Sequence, residues 1–385
     1  MNICVLGRQP AIGLAELESL YGADAVQPFG EQCALVDAPV DFSRLGGCLK
    51  LGTVSTSFSG ANLPRAFAWA TKNMPLRLQK TTGKLQIGVS VYGAAMPICK
   101  LNAHALSLKK ALKASGHSVR VTPNSAQALS SAQSYHNKLA GTRGYELIVA
   151  TDGTKTVIAR LTNVQDIDAY TLRDRSRPKR DAFVGMLPPK LAQTIVNLAT
   201  GPSTTGVVLD PFCGTGVVLM EAALMGHDVY GTDLSEKMVR YTRDNMNWLH
   251  DKYRVHSEAQ YETADASDHI WRKPLDFIAC ESYLGQPLGG QTPNPEKLAD
   301  IIHKCNSTMR GFLENIHSQL ASGSRLCVAM PAWFSGGQLH HLPLLDSLEE
   351  MGYNRIDFVH AATHELLYHR ENQTVGRELV VITKE

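Results

Sequence analysis

The sequence predicts an α/β protein: an open, mostly parallel sheet with an antiparallel edge in the second half, preceded by an α+β region. Three observations carry that prediction. Short apolar runs alternate with amphipathic helical runs across the second half. One strand-to-helix turn there is rich in glycine, "LDPFCGTGVVL" from Leu209 to Leu219. The first half mixes helical and strand-like runs without such alternation. At 385 residues, 44% hydrophobic and 19% charged, the chain is long and apolar enough for two cores. The expected division is an α+β region over 1–170, a basic linker over 171–186 and a second domain over 187–385.

In chain order, "NICVLG" reads as a strand and "GLAELESLYG" as a short amphipathic helix ending at Gly22. "CALVDAP" is a strand. "LQIGVSVYG" and "SVRVTP" are strands flanking the helix "ALSLKKALKASG". "QALSSAQSYHNKLAG" reads as helical, and "YELIVATDGTKTVIARLT" as a hairpin turning at Asp152-Gly153. In the linker, Arg173, Arg175, Arg177, Lys179 and Arg180 crowd together, and Pro178, Pro188 and Pro189 punctuate the run. It reads either as a solvated connector or as a basic hinge touching RNA phosphates.

The second half then reads as strand Val207–Phe212, helix Val217–Met225, strand Asp228–Asp233, and a helix from Ser235 to His250 with Ser235 as its cap. A short strand is expected near Tyr261–Ala264, and another in "LDFIACE". A long helix follows from Pro295 to Leu320. "RLCVAMPAW" is a strand and "LPLLDSLEEMG" a helix closing on glycine. "NRIDFVHAATHELLYH" and "RELVVITKE" make a final hairpin.

Composition excludes several classes. A formal net charge of +2 rules out a global polycation, so any nucleic-acid contact must be local. The eight cysteines form no CxxC pair and no zinc spacing; as buried reduced thiols they fit a cytoplasmic protein. The opening "MNICVLGRQP" does not read as a secretory signal, and no apolar stretch is long enough to span a membrane. His340, His341, His360, His364 and His369 lack partners at ligand spacing, so no metal is expected.

The glycine turn admits three readings. A phosphate-binding loop needs GxxxxGK[ST], which is absent. A dinucleotide fingerprint needs a third glycine where Leu219 stands. S-adenosylmethionine fits better. Asp210 ends the strand, Gly214 and Gly216 let the backbone approach a ligand, and the following helix N-terminus faces its carboxylate. Phe212 and Cys213 belong to the same turn. Asp233, followed by Leu234, ends the next strand where it would accept bonds from ribose hydroxyls. Asp265, with Ala266, would meet the adenine amine. Ordinary turn and cap chemistry is the alternative for these acids.

"LDPFCGTGVVLMEAALMG", "VYGTDLSEKM" and "GMLPPKLAQTIVNLA" resemble the THUMP-containing tRNA guanine-N2 methyltransferases of the archaeal and eukaryotic type. The opening "ICVLGRQPAIGLAELESL" and the run from Ser130 to Asp174 resemble other parts of the same family. The resemblance implies a THUMP module that grips tRNA and a Rossmann-like class I methyltransferase domain with a seven-stranded sheet. It also implies N2-methylation of guanosine at position 10 of tRNA. Some such enzymes need an activating protein partner; no segment here marks a surface for one.

The family's active-site turn is Asp/Asn-Pro-Pro-Tyr. This chain has "ESYL" in its place. Glu281 takes the acid position, Ser282 and Tyr283 replace the prolines, and Leu284 replaces the aromatic. The turn's carboxylate accepts hydrogens from an exocyclic amine as the nitrogen pyramidalises, and its aromatic stacks on the flipped base. Glu281 keeps a carboxylate, and Tyr283 stands one place from the aromatic. Another RNA, DNA or protein amine, or a non-catalytic tRNA-binding protein, would fit the same departure. For RNA contact the candidates are Lys109, Lys110, Lys113 and Arg120, then Lys138 and Arg143, then Arg175, Arg177, Lys179 and Arg180. The alternative for the first group is a solvated helix face.

Overall fold

The computed structural model describes residues 1–78, 83–181, 186–272, 274–286, 294–370 and 373–385. The chain packs as two compact units. One comprises Met1–Leu14, Tyr21–Ser43 and Gly47–Ala169; the other comprises Ala15–Leu20, Arg44–Gly46 and Tyr170–Glu385.

The first unit is built on a mixed sheet. Its strands are β1 (Asn2–Leu6), β2 (Val26–Phe29), β3 (Cys33–Val36), β4 (Cys48–Ser59), β5 (Lys84–Tyr92), β6 (Ser118–Val121), β7 (Gly144–Thr151) and β8 (Lys155–Val164). They lie in the order β2-β3-β1-β4-β8-β7-β5-β6. Helices in this part of the chain are α1 (Pro10–Tyr21), α2 (Leu63–Arg77), α3 (Ile98–Ala114) and α4 (Ser131–His136). On α3, Leu101, Ala105, Leu108 and Leu112 recur at helical spacing and are all buried. The predicted β7–β8 turn is present: Gly153 has φ 93°, and Asp152 Oδ1 accepts the Thr154 and Lys155 amides at 2.8 and 2.7 Å. α4 is shorter than the helical run expected over 127–141. The Ser130 hydroxyl caps it by accepting the Gln133 amide at 3.2 Å, and Lys138 leaves it at φ 54°. One feature had no trace in the sequence. Lys50 is 1% exposed, and its ammonium donates to the Leu129 carbonyl at 2.7 Å and to Glu146. Ser90 and Ser134 donate to the same carboxylate, so this buried charge is paired within a hydrogen-bonded cluster.

The second unit holds α5 (Ile167–Arg175) from Tyr170 onward, α6 (Pro189–Thr200), β9 (Val207–Asp210), α7 (Val217–Leu224), β10 (Asp228–Asp233), α8 (Glu236–Tyr253), β11 (Ala259–Thr263), β12 (Phe277–Glu281), α9 (Pro295–His317), β13 (Arg325–Ser335), β14 (Gln338–His340), β15 (Tyr353–Arg355), β16 (Leu367–Tyr368) and β17 (Val375–Lys384). Seven strands run in the order β11-β10-β9-β12-β13-β17-β15, with β14 added to β13 and β16 to β17. The pairs from β11 to β13 are parallel, and β17 is antiparallel to its neighbours. Strand order reverses between β9 and β12, and a crevice outside the carboxyl ends at such a reversal is where open α/β sheets take ligands.

Every residue of α6 except Lys190 is buried. Glu16 Oε1 accepts from both the Gly46 amide and Asn197 Nδ2 at 2.9 Å. A Cβ on Gly46 would lie 2.1 Å from the Lys190 carbonyl oxygen, so this close approach needs glycine. Two expectations need correction. Leu342–Gly352 is not an α-helix but a 3-10 turn over Pro343–Ser347. Leu342, Leu344 and Leu348 all enter the core, and an α-helix would set Leu342 and Leu344 on opposite faces. The C-terminal pair is more than a hairpin: β15 and β16 both pair with β17. The expected linker start at 171 falls inside α5, and linker residues 182–185 lie outside the described residues.

Candidate active site

β9 delivers Asp210 to the carboxyl edge of the sheet, 2% exposed, with Oδ1 accepting the Phe212 amide at 3.1 Å. The chain then turns through Gly214 (φ 51°) and Gly216 (φ 80°), both left-handed. A Cβ on Gly216 would meet the Thr242 side chain at 3.0 Å. α8 fixes this turn from behind. Thr242 Oγ1 donates to the Gly214 carbonyl at 3.0 Å and Asn245 Nδ2 to the Thr215 carbonyl at 2.8 Å. Asp233, at the end of β10, closes the turn from the side: Oδ2 accepts the Gly214 amide and Oδ1 the Ser235 amide, each at 2.9 Å. Ser235 stands at the start of α8 as predicted, but its hydroxyl makes no cap bond; Asp233 ties its amide instead.

Asp210, Gly214, Thr215, Asp233 and Ser235 line a cavity of about 640 Å³, a size that suits a nucleoside-sized ligand. Phe212, Cys213, Gly214, Leu234, Asp265 and Ala266 are on its wall, together with Asp210, Asp233, Glu281, Ser282 and Tyr283. Gly216 shapes the turn one step behind. Asp265 Oδ1 accepts the Ser267 amide at 2.9 Å and its hydroxyl at 2.7 Å, and these bonds hold its carboxyl below the ordinary range. The other acids behave oppositely. Burial pushes Asp210 well up, aided by the nearby charges of Asp233 and Glu281. Burial also raises Asp233 and Glu281. The positive-φ glycines allow a close backbone approach, and the converging carboxylates offer hydrogen-bond and charge partners, to a ligand such as S-adenosylmethionine.

At the end of β12, the Glu281 carboxylate is bound through Oε1 by Nε of Arg377 on β17, and that guanidinium opposes the upward push of burial. Ser282 is 3% exposed; its amide donates to the Ala329 carbonyl at 3.0 Å and its hydroxyl leans toward the same oxygen at 3.4 Å. These bonds tie it to β13. Tyr283, 44% exposed, is an aromatic at the rim. Sequence reasoning missed Arg377, Thr242 and Asn245, whose roles depend on partners distant along the chain. It also missed the Lys237–Asp181 ion pair, 2.8 Å, on the cavity wall.

The basic candidates divide. On the first unit, Lys110 and Lys113 of α3, Arg120 of β6, Lys138 and Arg143 are exposed, and Lys109 is half-buried. On the second, Arg175 and Arg180 are exposed, while Lys179 pairs with Asp244 at 3.5 Å and Asn245 holds its backbone amide and carbonyl at 2.9 and 3.0 Å. Arg177 needs correction: it is 3% exposed and donates to the Arg173 carbonyl at 3.4 Å, so it does not face a phosphate. Arg173 is buried against Glu221, with bonds of 2.6 and 3.2 Å. The run is thus partly a structural strap. Among the described residues no group of three or more His, Cys, Asp or Glu is placed to hold a metal, and no helix is long and apolar enough to cross a membrane.

Two family models match the chain, one described as an RMKL-like methyltransferase domain over residues 177–332 and one as a DNA methylase over residues 102–244. A curated relative from Methanothermobacter thermautotrophicus, named tRNA (guanine(10)-N2)-dimethyltransferase, is 33% identical over 179 residues, 46% of each chain. Its namesake from Pyrococcus abyssi is 30% identical over 184 residues, 47% of each chain. The chain therefore spans about half the length of these two relatives. A relative from Methanothermococcus thermolithotrophicus, named "Probable tRNA (guanine(10)-N2)-dimethyltransferase", is 44% identical over 129 residues, 32% of this chain and 76% of that one. The chain belongs to the tRNA (guanine(10)-N2)-dimethyltransferase family. As a member of this dimethyltransferase family it carries the Rossmann-like sheet described above. The crystal structure of TrmN from Thermus thermophilus has the same fold, with a TM-score of 0.53 over 100% of this chain and 99% of that one at 17% identity.

Proposed function

We propose that the protein transfers a methyl group from S-adenosylmethionine to the exocyclic N2 amine of a guanosine in tRNA, of the position-10 type. The observation that carries this is the convergence of Asp210, Asp233 and Glu281 on one cavity beside a left-handed glycine turn. The names of the family's curated members agree with it.

S-adenosylmethionine, when bound, supplies an electrophilic methyl group on a positively charged sulfur. The chain's own residues bind and orient. Asp233 accepts from the ribose hydroxyls and Asp265 from the adenine amine. The backbone at Gly214 approaches the methionine portion. Asp210 sets an anionic wall opposite its positive charges. On the acceptor side, Tyr283 stacks on the flipped base and Glu281 accepts a hydrogen of the amine, leaving its lone pair directed at the methyl group. In-line alignment accounts for much of the acceleration. Lys109, Lys110, Lys113, Arg120, Lys138 and Arg143, together with Arg175, Lys179 and Arg180, contact tRNA phosphates, with residues 1–170 in the role of the THUMP-like module. Seven of the eight free thiols are buried and Cys99 is exposed; free rather than disulfide-bonded cysteines suit a cytoplasmic setting.

The test is transfer of a labelled methyl group to unmodified tRNA transcripts, with mass spectrometry of the product nucleosides. N2-methylguanosine or its dimethyl form is the expected product. Label on another nucleoside, or none despite cofactor binding, would refute the guanine-N2 reading.

A further inference from the structure

We propose that Arg377 is a positioning residue for the methyl-acceptor site, holding one oxygen of Glu281 from the interior of the sheet so that the other is the one offered to the substrate amine. This rests on the reading of Glu281 as the amine's acceptor.

The register shows how unusual the reach is. Glu281 on β12 stands beside Ala329 on β13, and Ala329 beside Leu379 on β17. Arg377 stands beside Pro331. Its side chain therefore crosses the intervening strand to meet Glu281 Oε1 through Nε. Arg377 is 9% exposed, and the Glu281 side chain is 14% exposed on the cavity wall. An ion pair this buried seldom adds net stability, since apolar side chains of similar volume do as well or better. Its place at the cavity therefore points to what it does for the carboxylate. Ser282, tied to the Ala329 carbonyl, fixes the next residue, so Glu281 is held at both backbone and side chain. Arg377 reaches the Glu281 carboxylate through Nε, and that carboxylate has two oxygens. With Oε1 occupied, Oε2 is left to meet the amine.

The charge consequence follows from the same geometry. Glu281 is surrounded by Asp210 from β9, Cys280 on its own strand and, beyond Asp210, Asp233 from β10. Its β13 neighbour, Ala329, bears no charge. Burial favours the protonated carboxyl, and Arg377 opposes it. Without Arg377 the carboxyl takes up its proton at higher pH. A protonated carboxyl is a poorer acceptor for the amine hydrogen.

The experiment compares wild type, Arg377→Met, Arg377→Lys, Glu281→Gln and the double variant Glu281→Gln with Arg377→Met. For each, the methylation kcat and KM on tRNA are measured across pH, together with S-adenosylmethionine affinity and the melting temperature. Arg377→Met is expected to lower kcat by roughly 10- to 100-fold, as supporting residues do in other sites. KM and cofactor affinity should stay near wild type, and the acid limb of the kcat profile should move to higher pH. Arg377→Lys should restore part of kcat and return the limb toward its original position. In the Glu281→Gln background, Arg377→Met should lower kcat no further. An unmoved acid limb, or losses that multiply in the double variant, would overturn the proposal and leave Arg377 a structural tie. If Arg377→Met does not fold, the limb in Arg377→Lys and the Glu281→Gln rate decide. A wild type that binds S-adenosylmethionine but methylates no tRNA would instead overturn the acceptor reading, and this proposal with it.

Discussion

Asp210, Asp233 and Glu281 share one cavity, and burial raises the pKa of each. A positively charged ligand relieves their repulsion; a neutral one does not. S-adenosylmethionine carries one more positive charge than S-adenosylhomocysteine, its product. Binding of the donor should therefore release protons, and its affinity should rise with pH as these carboxyls ionise. The product should show a smaller dependence. Calorimetry in buffers of different ionisation enthalpy counts the protons, and equal release with both ligands would argue against the role given to these acids. The same burial affects stability. The folded pKa of Asp210 lies above its unfolded value, so its contribution is fully present below the unfolded pKa and is lost as pH rises through the folded one. Asp210→Asn removes that loss. It should raise the melting temperature of the ligand-free protein at neutral and alkaline pH, and raise it less toward about pH 4. No gain at high pH would mean that the carboxylate is compensated by a counter-charge. Asp210 was legible because a strand-ending acid before a glycine turn is a local pattern, and Asp233 because it ends the strand that follows. The hold of Arg377 on Glu281 was not, because a bond across two strands leaves no mark in either segment.

Helix α8 does more than cover the sheet. Its buried Asn245 donates to the Thr215 carbonyl in the glycine turn and bonds both the amide and the carbonyl of Lys179. One side chain thus ties the cofactor turn to the strap that precedes the domain. Asn245→Ala leaves a buried carbonyl without its donor and should destabilise the second unit by about 1–3 kcal/mol. It should also weaken S-adenosylmethionine binding, because the turn loses its support. Urea unfolding and calorimetry measure the two effects, and a variant equal to wild type in both would sink this account. Elements with regular periodicity, such as β9, α7, β10 and β12, were readable from sequence to within a few residues. The 3-10 turn at Pro343–Ser347 was not, because its leucines suit either a helix or a tight turn until a core is specified.

Across the whole molecule, a net charge of +2 leaves any RNA binding to local patches. Charge reversal of Lys110 and Lys113 together should weaken tRNA affinity and lower the salt slope of binding by roughly 0.7–0.9 for each phosphate no longer neutralised. It should leave the rate at saturating tRNA unchanged. Binding titrations over a range of salt read the slope; an unaltered slope would place α3 away from the RNA. The two-core organisation was legible in the change of periodicity near the linker. That Ala15–Leu20 and Arg44–Gly46 pack with the later unit was not, since a segment's partner is a property of the finished fold. The placement of β17 between β13 and β15 bears on how the protein is made. A ribosome delivers β9 to β13 well before Lys384 leaves it. Until then the nascent chain must hold an open sheet edge, a site where strands from other chains can add. Slowing translation before Val375 should prolong that exposure, so the load on chaperones depends on the pace of synthesis over the last strand.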